Sequence, residues 1–245
     1  MESVAARIAA IHERIAAAAR RSGRAPEQVR LVGVSKTHPP ERVAEALAAG
    51  LRDFGENRVQ EAEAKIAALA ADRAQLTWHL IGHLQSNKAR RAAALFDCVH
   101  SVDSLHLARA LARGAAGREP GAAGRGPLAV LLQVNISGEA SKEGFDLAGW
   151  DRDGARLGAF LAEVEQLLAL PALAVQGLMT IAPWGSDAEQ ARPVFDATRR
   201  LRDELARRFG GAWPALSMGM TDDFEVAIEE GATLVRVGRA IFGAR

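Results

Sequence analysis

The chain has no tyrosine in its 245 residues. Any mechanism that needs a phenol as its acid or base is thereby excluded. It has a single cysteine, Cys98, so no intrachain disulfide can form, which fits a reducing cytoplasm. Cys98 sits in Leu95-Phe96-Asp97-Cys98-Val99, the setting of a buried structural thiol more than of a nucleophile. Neither sign of charge is in excess: 31 basic against 30 acidic residues leave a net charge of +1. That balance gives no footprint for nucleic acid or a membrane surface. No stretch approaches the roughly 20 apolar residues that span a bilayer. Charges from Glu2 onward interrupt any signal-peptide pattern, so a cytoplasmic protein is expected. The histidines lack metal-ligand spacing. His79 and His83 are separated by a strand end and Gly82, and His38, His100 and His106 are scattered, so no metal is expected.

What the chain does have is a core. Hydrophobic residues make up 49% and charged residues 25%, which suits a globular fold. The length is near that of a typical (β/α)8 barrel. Residues 2–22 carry Ile8, Ile11 and Ile15 at helical spacing, which predicts an amphipathic helix ending at Gly23. Short apolar runs then alternate with helical segments. The runs fall at 31–36, 51–55, 77–81, 97–101, 128–134, 173–178, 215–217 and 233–237. Helices are expected at about 40–49, 58–69, 85–94, 103–113, 155–169, 187–209 and 222–230, with Asn57, Asp103 and Asp222 as caps. The Gly-, Ala- and Arg-rich stretch 114–127 reads as a flexible surface loop, and 135–154 as a long loop with polar content.

Continuous apolar strands with intervening helices indicate a parallel sheet. Eight such units predict closure into a single TIM barrel, (β/α)8, with an extra N-terminal helix. An open doubly wound sheet is the alternative. No boundary divides the chain, so residues 1–245 read as one domain, with its helix at about 2–22 and its barrel at about 31–243. A single barrel of this size closes its own core, so a monomer is expected.

Barrel ligands bind at the carboxyl ends of the strands. Those ends carry Lys36, Asn57, His83, Asn135, Thr180, Ser217-Met218-Gly219 and Arg236-Val237-Gly238-Arg239. The glycines after strands seven and eight suit a phosphate held on backbone amides, or merely tight turns. Arg236, inside an apolar strand, either pairs with a carboxylate or is aimed at a ligand. Lys36 ends Leu31-Val32-Gly33-Val34-Ser35-Lys36 and is stopped by Pro39-Pro40. A lysine there is solvated, paired, or has chemical work to do. With a phosphate site across the mouth, the chemical options are a Schiff base with a phosphorylated aldehyde or a purely electrostatic lysine.

Six motifs resemble the pyridoxal phosphate homeostasis protein family. They are Val32-Gly33-Val34-Ser35-Lys36, Phe54-Gly55-Glu56-Asn57-Arg58-Val59-Gln60-Glu61, the run from Trp78 to Lys88, Gly177-Leu178-Met179-Thr180, the run from Leu216 to Phe224, and the run from Val235 to Gly243. The resemblance implies a barrel like the N-terminal domain of alanine racemase, with pyridoxal 5′-phosphate as an internal aldimine on Lys36. It implies that Ser217, Gly219, Gly238 and Arg239 hold the phosphate, that Arg236 faces the pyridine nitrogen, and that Asn57 lies beside the ring. Lys142 matches a family lysine connected with cofactor transfer. Arg58 departs from the tyrosine that many relatives carry after Gly-Glu-Asn.

A cation facing the pyridine nitrogen disfavours its protonation and blunts carbanion chemistry. Alanine racemases also use a tyrosine from a second domain, and these 245 residues hold neither. The expected function is therefore a carrier that buffers and delivers the cofactor to PLP-dependent apo-enzymes, more than an enzyme. A weak amino-acid racemase of the alanine-racemase type is the alternative, and a barrel isomerase for a phosphosugar is a third reading.

Overall fold

A computed structural model describes residues 2–118, 126–183 and 187–243. The middle of the loop expected at 114–127 lies outside these residues. Eight parallel strands close on themselves: β1 (Arg30–Val34), β2 (Asp53–Glu56), β3 (Thr77–Leu80), β4 (Cys98–Val102), β5 (Leu128–Asn135), β7 (Leu173–Met179), β8 (Ala215–Ser217) and β9 (Leu234–Val237). They pair in the ring β4-β3-β2-β1-β9-β8-β7-β5, and β4 pairs with β5 to shut it. The expected TIM barrel is thus present, and the open sheet is ruled out by that last pairing. A two-residue strand, β6 (Phe145–Asp146), adds to the upper end of β5 within the stretch expected to be all loop.

The helices are α1 (Val4–Arg21), α2 (Pro40–Ala48), α3 (Val59–Ala68), α4 (Ala89–Leu95), α5 (Leu105–Ala115), α6 (Gly154–Leu168), α7 (Ala188–Phe209), α8 (Phe224–Glu229) and α9 (Arg239–Phe242). The last is a single turn. α1 packs against α2, α8 and α9, so the N-terminal helix fills the gap that α9 is too short to cover. Ile8, Ile11 and Ile15 supply its buried face. Arg14 and Arg21 fix it to Glu225 and Glu229, and Arg24 donates to the carbonyls of Ile228 and Ala232.

Register decides which side chains enter the barrel. Val32 lies beside Asp53 on one side and Arg236 on the other, and partners in adjacent parallel strands share a face. Alternation then puts Val32 and Val34 inside, and Leu31 and Gly33 outside against the helices. The backbone of Ser35 still donates to Gly55 at 3.1 Å, so the ladder runs past the strand's formal end and carries Lys36 onto the inner face.

Three caps differ from expectation. Ser104, not Asp103, accepts from the amide of Leu107 to start α5. Arg58 stands at the cap of α3 without a side-chain bond, because Asn57 shares the inward parity of Asp53 and Gly55. Asp223 begins α8, while Asp222 pairs with Arg239.

Candidate functional site

Lys36 is half-buried at the top of β1 and has no hydrogen bond or ion pair among the described residues. The next residue, Thr37, has φ of 67°. A β-branched residue in the left-handed region is strained, at roughly 1–3 kcal/mol. Two contacts hold the backbone on either side of Lys36. The amide of Thr37 donates to Glu61, and the carbonyl of Ser35 accepts from Lys65 Nζ at 2.6 Å. Lys65 also binds Glu56 at 2.6 Å and Glu61 at 3.1 Å, so one buried ammonium anchors both flanks. Lys65 and Glu56 were not singled out from sequence. A lysine in a helix beginning Val59-Gln60-Glu61 reads as a solvated face, and only its packing under β1 reveals the pair.

Arg236 is 4% exposed. Its Nη1 donates to Ser217 Oγ at 2.7 Å and its Nη2 to the carbonyl of Thr180 at 3.0 Å. No carboxylate pairs directly with it among the described residues. Burial pulls the guanidinium down to about 10, against an opposing pull from Asp223, so it remains a cation at neutral pH. Asp223 in turn accepts from the amide of Met220 at 2.5 Å and shapes the loop after β8.

In that loop Gly219 has φ of +91°, and a Cβ there would lie 2.6 Å from the Cβ of Ala227 and 2.8 Å from the Cα of Phe224. Only glycine fits. Gly238 joins β9 to α9, and a Cβ there would lie 3.1 Å from the carbonyl oxygen of Val34. Ser217 is fully buried, with its hydroxyl on Arg236 and His100. Arg239 turns its side chain outward onto Asp222, at 2.6 and 2.8 Å, leaving its backbone at the first turn of α9.

Asn57 follows β2, the strand next to β1. Its Oδ1 is buried without a hydrogen-bond partner. Gly82 makes room for it, since a Cβ at 82 would lie 2.5 Å from the Asn57 carbonyl oxygen. Asn57 lines a cavity of about 250 Å³ together with His83, Gln133, Asn135, Lys142 and Glu143. A neighbouring cavity of about 320 Å³ runs past Arg58, Gln60 and Lys88. Lys142 is tied to Glu139, to Ser137 Oγ at 3.0 Å and to the carbonyl of Ile181 at 3.1 Å.

The expectation that the histidines form no ligand set missed contacts between strands. His79, Cys98 and His100 bring donor atoms within 4.8 Å of one another inside the barrel, and His83, Asp103 and Glu143 do so at the rim. Spacing along one chain cannot reveal neighbours on β3 and β4. The Cys98 thiol is pushed up to about 12 by desolvation, which fits a neutral structural thiol.

An unpaired amine, a buried cation and a glycine-lined turn suit a small anionic carbonyl compound. The family model for the alanine racemase N-terminal domain matches residues 7–245. A pyridoxal phosphate homeostasis protein of Pseudomonas aeruginosa is 47% identical over all of this chain and 97% of its own length. One of Aquifex aeolicus is 42% identical over 98% of this chain and 97% of its own. Among solved structures, PipY of Synechococcus elongatus with PLP bound is 44% identical, covers 95% of this chain and all of its own, and superposes with a TM-score of 0.74. On this likeness the chain belongs to the pyridoxal phosphate homeostasis protein family.

Proposed function

We propose that the protein binds pyridoxal 5′-phosphate at the upper mouth of one barrel domain, and buffers and delivers it in the cytoplasm to apo-enzymes that need it. The observation that carries this reading is Lys36: an amine without a partner, on the inner face, beside a strained residue held by a dedicated ion-pair cluster. The residues present fit the group. Lys36 would supply the amine that holds the aldehyde. Ser217, Gly219, Gly238 and the backbone of Arg239 form the turn pair that receives the phosphate. Arg236 would offer its remaining N–H groups to the ring nitrogen, and Asn57, whose Oδ1 is buried without a partner, would lie beside the ring. When bound, the cofactor supplies a carbonyl that can be passed to another amine.

The chain's own chemistry favours holding over turnover. Arg236 is a cation at neutral pH that can only donate a hydrogen bond, so it would disfavour protonation of the ring nitrogen and keep the ring a weak electron sink. No tyrosine is present to serve as a second acid or base. Lys142 lines the same mouth with its ammonium held by Glu139, Ser137 and the carbonyl of Ile181, and would be a second amine for the cofactor once it gives up those bonds and its extra proton. The protein acts as a monomer in this reading.

The test is borohydride reduction of the protein saturated with pyridoxal phosphate, followed by peptide mapping. The expected result is one stable label on Lys36, absent from Lys36→Ala. A label spread over surface lysines would overturn the site. Exchange of an amino acid's α-hydrogen in deuterated water, at a rate near the typical enzyme value of about 10 per second, would instead establish a racemase.

A further inference from the structure

The interior of this barrel is not filled by apolar layers alone. A continuous polar chain crosses it. Arg236 on β9 donates from Nη1 to Ser217 Oγ on β8 at 2.7 Å. Ser217 Oγ lies 2.9 Å from His100 Nδ1 on β4, on the far wall of the barrel. His100 Nε2 lies 2.9 Å from His79 Nδ1 on β3, with the rings edge to face. His79 Nε2 lies 2.8 Å from Asp53 Oδ1 at the foot of β2. All three middle members are at most 2% exposed.

The two ends fix every proton between them. Arginine can only donate, and an ionised carboxylate can only accept. Burial raises Asp53, but the hydrogen bond from His79 and the pairing with Arg30 bring it below the ordinary range, so it is ionised. With both imidazoles neutral, Ser217 accepts from Arg236 and donates to His100 Nδ1. His100 must donate from Nε2 to His79 Nδ1, and His79 from Nε2 to Asp53. Each ring then carries its single proton on Nε2. Burial, with the nearby charges of Arg236 and Arg30, holds His100 well below the ordinary imidazole range, in agreement with that assignment. The chain amounts to an Arg–Asp ion pair conducted through three neutral groups. Both nitrogens of each ring are taken up, so a metal at His79, Cys98 and His100 would have to break the central bond.

The lower end of the chain is open to solvent. A cavity of about 430 Å³ at the amino ends of the strands is lined by Arg30, His79 and Cys98. The upper end is Arg236, at the mouth. The relay thus joins the two ends of the barrel.

We propose that Asp53, His79, His100 and Ser217 act as one directional relay that positions Arg236, itself always a donor, toward the ring nitrogen of the bound cofactor. This rests on the cofactor reading above. Asp53, His79 and His100 are positioning residues that touch the ligand only through Ser217 and Arg236. Asp53, which also pairs with Arg30, is the informative member: it lies at the relay's foot, and loss of its charge acting directly through space would lower the ring nitrogen's titration, the opposite of the change expected along the relay.

Two measurements test this. In the protein without cofactor, long-range nitrogen NMR of the imidazoles reads the relay by itself. The expected result is that His79 and His100 are both neutral with the proton on Nε2 at pH 7. A proton on Nδ1 of either ring, or a charged ring, overturns the assignment whether or not the cofactor reading holds. In protein saturated with pyridoxal phosphate labelled with ¹⁵N in its ring, the ring nitrogen is expected to be unprotonated. In Asp53→Asn, which keeps the side chain's shape but removes the charge, its titration is expected to rise by about one pH unit, a tenfold change in proton affinity. His100→Gln is expected to move it in the same direction, and serves if Asp53→Asn does not fold. An unmoved ring nitrogen in a folded variant that still binds overturns the proposal. Failure of the unsubstituted protein to take up the cofactor sinks the cofactor reading, and leaves the imidazole measurement to decide the relay.

Discussion

Lys36 and Lys65 lie on the two faces of one strand end and show two fates of an ammonium inside a barrel. Lys65, on the outer face, is 4% exposed and has three oxygen partners, Ser35, Glu56 and Glu61. Lys36, on the inner face, has none among the described residues. A buried charge is tolerated only when paired and hydrogen-bonded. Lys65 meets that condition and is structural. Lys36 avoids it by staying half in solvent, and so keeps a free amine. The two are coupled, because Lys65 and its partner Glu61 grip the residues before and after Lys36. The paired lysine holds the backbone so that the unpaired one can be reactive.

Removing each lysine should therefore break different properties. The largest expected effect is at Lys36. Lys36→Ala should abolish the borohydride-stable label while shifting unfolding free energy by no more than about 0.5 kcal/mol, as for a side chain without partners. Denaturant melts of the unloaded protein check the second half. A large destabilisation there would mean that Lys36 has a structural role. Next is Lys65→Ala, which leaves Glu56 buried without its cation and should cost about 3–5 kcal/mol. The double change Lys65→Met with Glu56→Leu should recover most of that stability, since it removes both charges. It should still slow the labelling of Lys36, because Ser35 and Glu61 lose their anchor. Labelling at the normal rate in the double variant would show that the clamp does not matter to the amine.

Much of the barrel was legible because its signals are local. Val32-Gly33-Val34, Leu128 to Val134 and Leu173 to Leu178 are apolar runs bounded by turns, and the strands fall within a residue or two of them. Lys36, Ser217 and Arg236 stood out as polar residues at the ends of, or inside, such runs. The motif resemblance supplied their roles. What stayed hidden depends on contacts between distant elements. Lys65 looks solvated until α3 is packed under β1. His79 and His100 are 21 residues apart and meet only because adjacent strands align them. Asn57 was read as a cap because capping is a local rule, whereas its inward parity is set by pairing with β3.

The two polar systems should also respond to pH with opposite signs. His100 has its folded value depressed, chiefly by burial. Its contribution is fully present above the ordinary imidazole value of about 6.5 and is lost as pH falls toward the folded value. Glu56 has its folded value raised, chiefly by burial, despite its bonds to Lys65 and Ser35. Its contribution is present below the ordinary carboxyl value of about 4.3 and is lost as pH rises through the folded value. Each slope is at most about 1.4 kcal/mol per pH unit for one proton. His100→Gln should flatten the fall in stability below pH 6.5, and Glu56→Gln should remove the opposing slope. Melts across the pH range check both, and a fall unchanged in His100→Gln would place its origin elsewhere.

The smallest effect is expected at Asn57, and it separates binding from folding most cleanly. Its Oδ1 is buried without a partner, which costs about 1–3 kcal/mol in the unloaded protein. Asn57→Ala removes that penalty along with the side chain's packing, so the unloaded protein should be unchanged within about 0.5 kcal/mol or slightly stabilised. Binding should move the other way. If Asn57 is kept unsatisfied for a ligand, the variant should bind pyridoxal phosphate about fivefold to tenfold more weakly, as loss of one neutral hydrogen bond of about 1 kcal/mol implies. A destabilised variant with normal affinity would make Asn57 a packing residue. The opposite pairing, stable and weak-binding, would add a second group to Lys36 among those the fold leaves unpartnered for the ligand's sake.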